Sequence, residues 1–197
     1  MSVEAAPAAA PEYPLRYEVE YPEELSRWLI FVKWLLVIPH FIILYALGVA
    51  DSVIGIIAFF AILFTKRYPR GLFDFAVNVN RWSANVMAYL MLFRDEYPPF
   101  SWEPGQYAVT YEVDYPEELS RWLPLIKWLL AIPHYIVLLF LFIAVYFVYI
   151  IAFFAILFSK RFPHGLFDFT VGIHRWNYRV GAYTALLRDE YQPFSLR

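Results

Sequence analysis

The sequence predicts an all-α integral membrane protein with a small β element. Its two pseudo-symmetric repeats are each expected to hold a hydrophobic helical hairpin plus an amphipathic helix. Three observations predict this: composition, an internal repeat and the periodicity within it. Hydrophobic residues make up 61% of the 197 and charged residues 17%, against roughly 45–50% and about 25% in ordinary globular domains. Aromatics alone reach 21%, more than a soluble surface and core of this size accommodate without large exposed apolar patches.

The same composition excludes several classes. A net charge of −2 offers no basic surface for a phosphate backbone, so no nucleic-acid partner is expected. The chain has no cysteine, which removes disulfides, thiolate nucleophiles and Cys-ligated metals.

The repeat is near-exact in spacing. YEVEYPEELSRWLIFVKWLLVIPH from Tyr17 returns as YEVDYPEELSRWLPLIKWLLAIPH from Tyr111, 94 positions on (111 − 17). FAILFTKRYPRGLFDF from Phe60 returns from Phe154, and RDEYPPFS from Arg94 returns from Arg188, at the same offset. The predicted division is a disordered tail over 1–14, a first membrane repeat over 15–102, a linker over 103–105 and a second membrane repeat over 106–197. The tail is Ala/Pro-rich with Glu4 and Glu12 and lacks the basic and apolar regions of a signal peptide.

Each repeat opens with alternation. Leu15, Tyr17, Val19 and Tyr21 are apolar between polar neighbours, as are Tyr107, Val109, Tyr111 and Val113. Period two with Tyr and Val predicts one half-buried strand per repeat, in a small sheet joining the halves. The Pro-Phe-Ser segments, Pro99–Ser101 and Pro193–Ser195, are expected to add short edge strands. Pro22-Glu23-Glu24 and Pro116-Glu117-Glu118 suit a helix start, by proline's fixed φ and the acidic first turn.

Leu29 to Phe64 is almost wholly apolar. One straight helix of that length would be about 54 Å long, against a hydrocarbon core of about 30 Å. A hairpin is therefore expected, turning at Gly48, Asp51, Ser52 and Gly55. The second repeat has Phe142, Val145, Tyr146 and Tyr149 there, which leaves a single helix kinked at Pro133 open beside the hairpin. Arg27, Lys33, Lys66, Arg67 and Arg70 flank the first apolar segment. The positive-inside rule assigns these flanks to the cytoplasmic side of a multi-pass protein. Contact with lipid headgroups is expected of Arg27, Lys33, Lys66, Arg67, Arg70, Arg121, Lys127, Lys160 and Arg161, with simple anchoring as the alternative.

Gly71 to Phe93 carries a polar stripe of Asp74, Asn78, Arg81 and Asn85 at i, i+4, i+7 and i+11. Its second version is Asp168, Gly172, Arg175 and Arg179. Two readings stay open. Either the helix lies in the interface with the stripe toward water, or the stripe faces protein with Asp74 and Arg81 as an internal ion pair.

His40 and His134 follow Ile-Pro in equivalent places, where they act as polar residues at a helix kink or as axial ligands to a haem or chlorophyll. The bulky neighbours Phe41, Leu44 and Tyr45 favour the former, so no cofactor and no metal are expected. His164 and His174 occur only in the second repeat and read as surface substitutions. No nucleotide-binding, metalloprotease or nucleophile-elbow motif occurs, and no catalytic residue is expected.

The motifs PEELSRW, KWLLVIPH, FAILFTKRYPRGLFDF, NRWSANVMAYL and RDEYPPFS resemble those of the bacterial membrane-protein family called domain of unknown function 4389, in two tandem copies. The resemblance implies a bacterial inner-membrane location and no assigned activity. With an aromatic-rich surface and no placed chemistry, the expected function is a non-catalytic accessory or scaffold subunit of a larger membrane complex. Its partners would be lipids and other membrane subunits. The alternatives are a membrane-shaping hairpin protein of reticulon-like layout, or a small lipid or solute carrier.

Overall fold

The computed structural model describes residues 13–197; the expectation of a disordered tail falls mainly on residues 1–12, outside them. In chain order the elements are β1 (Leu15–Val19), α1 (Leu29–Leu36), α2 (Ile38–Thr65), α3 (Arg70–Leu90), β2 (Val109–Val113), α4 (Leu123–Leu130), α5 (Ile132–Ser159) and α6 (His164–Thr184). The second half repeats the first, element for element.

The alternating segments form the expected strands. β1 and β2 pair antiparallel, with Tyr17 opposite Tyr111 at the centre. Leu15, Tyr17, Val109 and Tyr111 point inward and are buried, while Arg16 and Glu18 face outward. The sheet joins the repeats, and each strand packs on the helix of the other: β2 on α3, and β1 on α6. One core cluster consequently draws on both halves, from Leu15 and Ala58 to Val109 and Ile156.

Neither hairpin forms. α2 and α5 are uninterrupted helices of 28 residues, preceded by the 8-residue α1 and α4. Gly48, Asp51, Ser52 and Gly55 stand at i, i+3, i+4 and i+7, so they form one side of a helix rather than a turn. Ser52 is satisfied within it, its hydroxyl donating to the Gly48 carbonyl at 2.8 Å. The break falls earlier, between α1 and α2, where Pro39 sits in the first turn of the new helix and lacks the N–H an unbroken helix would use. Pro133 does the same between α4 and α5. α2 and α5 end on Lys66 (φ 61°) and Lys160 (φ 60°), left-handed caps whose N–H groups close on Ile62 and Ile156.

Two smaller expectations fail, each where a tertiary contact takes over. The Pro22-Glu23-Glu24 segment is irregular, and α1 begins only at Leu29. The Leu25 N–H donates to the Lys160 carbonyl at 2.7 Å, and the Ser26 N–H donates to the Asp95 carboxylate. The Pro-Phe-Ser segments form no strand. Phe100 and Phe194 instead stack on the imidazoles of His40 and His134, with centroids 3.9 Å apart in both repeats.

Candidate functional site

Three polar constellations recur in both halves. In the first, Lys33 on α1 is 1% exposed. Its ammonium pairs with Asp95 at 2.8 Å and donates to the Arg94 carbonyl at 2.6 Å. The Tyr89 ring lies 4.8 Å from the same nitrogen. Lys127, Asp189, Arg188 and Tyr183 reproduce the set. Burial and pairing overturn the expectation that Lys33 and Lys127 meet headgroups: the Asp two residues before Tyr97 or Tyr191 draws each ammonium inward.

The second constellation is His40, whose Nδ1 accepts a hydrogen bond from the Trp82 indole N–H at 3.1 Å. His134 and Trp176 match at 3.0 Å. A neutral ring accepting at Nδ1 carries its hydrogen on Nε2. With Nδ1 engaged and Nε2 protonated, neither nitrogen presents a free lone pair to a metal. The geometry thus speaks against axial ligation. The carbonyl beside the break is taken by Tyr97 rather than by the histidine, whose Nε2 is buried with no partner among the described residues.

The third is the arginine of the polar stripe. Arg81 donates from Nε to the Tyr111 carbonyl at 3.0 Å and from Nη1 to the Trp102 carbonyl at 3.0 Å and to Asn78. Arg175 donates to the Tyr17 and Leu196 carbonyls. Burial lowers the Arg81 pKa from its ordinary value. The stripe therefore faces protein at its centre, and the water-facing reading does not hold there. The Asp74–Arg81 ion pair is also absent: Asp74 pairs with Arg70 one turn away at 3.0 Å, and Asp168 with His164 at 2.8 Å. Arg179, at the stripe's far end, donates to the Arg197 carbonyl.

The centre of the molecule departs from symmetry. Tyr178, whose first-repeat position is Ala84, packs on Tyr17 and Tyr111 with ring centroids 4.7 and 5.3 Å apart. His174 is buried, not a surface substitution, and its Nε2 lies 3.0 Å from the Tyr149 hydroxyl. Burial lowers the His174 pKa from 6.5 to about 4. Burial also raises the Tyr111 phenol, with smaller contributions from Tyr178 and from Asp51 on α2. Sequence reasoning missed this cluster. Its one signal was the set of second-repeat residues without first-repeat equivalents: Tyr149, His174 and Tyr178.

The other basic residues expected at headgroups lie at the ends of the long helices. Lys66 pairs with Glu118 at 2.7 Å and Lys160 with Glu24 at 3.4 Å, all four side chains being exposed. Glu118 is held below the usual carboxylate range by Lys66. Arg27 donates to the Phe158 carbonyl at 3.0 Å, and Arg67, Arg121 and Arg161 are exposed. Two matching clefts open beside these helices. One, of about 340 Å³, is lined by Ser52, Gly55, Phe59 and Thr184. The other, of about 350 Å³, is lined by Tyr146, Tyr149, Phe153 and Leu90. Neither lining contains a charged side chain. No group of three or more His, Asp or Glu side chains suited to a metal occurs among the described residues.

These features define a class: a tandem helical repeat protein whose halves exchange strands, with two helical segments long and apolar enough to cross a membrane, Leu29–Thr65 and Leu123–Ser159. The chain belongs to the family described as Domain of unknown function (DUF4389), whose model matches residues 27–101 and 121–196. No curated protein and no solved structure matches it.

Proposed function

We propose that this chain is a non-catalytic accessory or scaffold subunit of a membrane protein complex in the bacterial inner membrane. One observation carries the reading: the recurring Lys33, Trp82 and Arg81 groups and their counterparts are engaged in holding the fold, while the outward surface of α5 is rich in aromatics. Phe140, Tyr146, Phe147 and Phe158 are 66, 65, 58 and 74% exposed. Lipid requires only apolarity, which Leu or Val supplies, whereas rigid aromatic area is enriched at protein interface cores. α2 differs at three of the matching positions, with Ala46, Ser52 and Val53, and keeps an aromatic only at Phe64, so the two repeats present different surfaces to neighbours. The hairpin layout that motivated the membrane-shaping alternative is replaced by continuous helices.

The test is gentle solubilisation of native membranes, then sizing and mass spectrometry. A stoichiometric heteromeric complex supports the proposal, and crosslinks from Tyr146 or Phe158 positions should reach the neighbour. A lone monomer or homodimer with only lipid attached would sink it.

A further inference from the structure

Apolar and charged surface are segregated by layer. α1, α2, α4 and α5 contain three charged residues, Lys33, Asp51 and Lys127, and none is exposed: both lysines are buried and Asp51 is half-buried. Nearly all exposed large apolar side chains belong to residues 28–64 and 122–158; the others are Tyr97, Phe100, Tyr191 and Phe194. α3, α6 and the two strands expose none.

The strands mark the opposite side, and they lie over the middle of the long helices. Val145 is the midpoint of α5 and packs on Ile173 and Trp176 of α6. Between those two, Arg175 bonds the carbonyl of Tyr17, the central residue of β1. In the first repeat Arg81, near the middle of α3, bonds central Tyr111 of β2, whose phenol also feels Asp51 at the midpoint of α2. The sheet's outer side carries Glu18 and the Arg16–Glu112 pair, whose side chains are 54 and 43% exposed. If the long helices crossed a bilayer, these charges would stand near its midplane, where Arg and Glu are least tolerated. Length argues the same way, since α2 alone spans 28 residues, or about 42 Å of helix against a hydrocarbon core of about 30 Å.

We infer that the long helices lie in the plane of one leaflet, with their apolar side sunk into the lipid and the two-stranded sheet facing water. The inference rests on the membrane reading above and replaces crossing with in-plane embedding. The pseudo-twofold axis, perpendicular to an antiparallel strand pair, then points along the membrane normal. All the helix-end basic residues, Arg27, Lys66, Arg67, Arg121, Lys160 and Arg161, stand at one interface, where they meet the headgroups of that leaflet. A single cytoplasmic side accounts for every one of them.

The absence of native cysteine allows a clean test with three single variants at exposed positions. Arg67→Cys and Arg161→Cys lie at opposite ends of the molecule, because Lys66 meets the segment after β2 and Lys160 the segment after β1. Glu18→Cys lies on the sheet. Each is treated with an impermeant maleimide in right-side-out and inverted membrane vesicles. The in-plane arrangement requires all three to react in the same vesicle orientation and to be protected in the other. Reaction of Arg67→Cys and Arg161→Cys in opposite orientations would overturn it. Flotation of the same samples with their vesicles separates the two proposals. A chain that fails to float defeats the membrane reading as well, whereas a floating chain with oppositely reactive ends defeats only the in-plane arrangement.

Discussion

Arg81 donates its Nε hydrogen to the carbonyl of Tyr111 at 3.0 Å, and so ties the helix of one repeat to the strand of the other. Arg81→Ala removes this bond and the one to Trp102. Hydrogen bonds to charged groups contribute about 1.5–3 kcal/mol each, so a loss on the order of 3 kcal/mol is expected. Asn85→Ala should cost less, because the Asn85 side-chain carbonyl is buried without a partner among the described residues. Thermal unfolding in detergent checks the pair, and equal midpoint shifts would remove the argument.

The buried Lys33–Asp95 pair predicts strong coupling. Removing one partner of such a pair typically costs about 3–5 kcal/mol, since the other charge stays buried. Lys33→Met and Asp95→Asn should each destabilise strongly, and the double variant should be much less unstable than their sum. The amide oxygen introduced by Asp95→Asn would still accept from the Ser26 N–H, which isolates the charge effect. Simple additivity in a double-mutant cycle would contradict this account.

Gly172 predicts an asymmetric tolerance. A Cβ there would lie 2.8 Å from the Leu196 carbonyl oxygen and 2.9 Å from its Cβ. The first repeat has Asn78 at this position, where the amide oxygen accepts from Arg81 instead. Gly172→Ala should displace the C-terminal segment and destabilise by about 1–3 kcal/mol, the usual range for overpacking. Amide hydrogen exchange at Leu196 and Arg197 should become faster. An unchanged exchange rate would show that the segment yields without loss.

Acid should weaken the fold through His174. Its folded pKa is about 4 against 6.5 for the free side chain, so between those values the unfolded chain binds the extra proton. Stability from this residue is full above about pH 6.5, declines as pH falls, and is gone below about pH 4. The total is on the order of 3 kcal/mol. His174→Asn, the residue type of the first repeat, should flatten this part of the pH profile. A profile unaffected by the substitution would assign the acid sensitivity elsewhere.

Much of the architecture is legible because it is local. The alternation of Leu15, Tyr17 and Val19 defines a strand wherever it lands, and the 94-residue register names its partner. The continuity of α2 is less legible, because Gly48, Asp51, Ser52 and Gly55 are turn residues by type and a helix side by spacing. A length argument that assumes a crossing then tips the choice toward a hairpin. The Lys33–Asp95 pair is hidden by a sequence separation of 62 (95 − 33). For His174, lack of a counterpart suggests an unimportant surface site, yet its packing against Tyr149 and Phe93 shows an interior specialised in one half.

Pairing Leu15 with Val113 leaves the sheet unable to close until 98 further residues exist (113 − 15). As the chain leaves the ribosome, α3 therefore emerges with its strand socket vacant, and Arg81 has no Tyr111 carbonyl to meet. Closing so long a loop adds entropy only logarithmically with its length, so the delay is set by synthesis more than by thermodynamics. The first repeat consequently passes through a half-built stage with the side of α3 that β2 later covers left bare, a surface that the finished protein does not display and that only factors present at birth encounter.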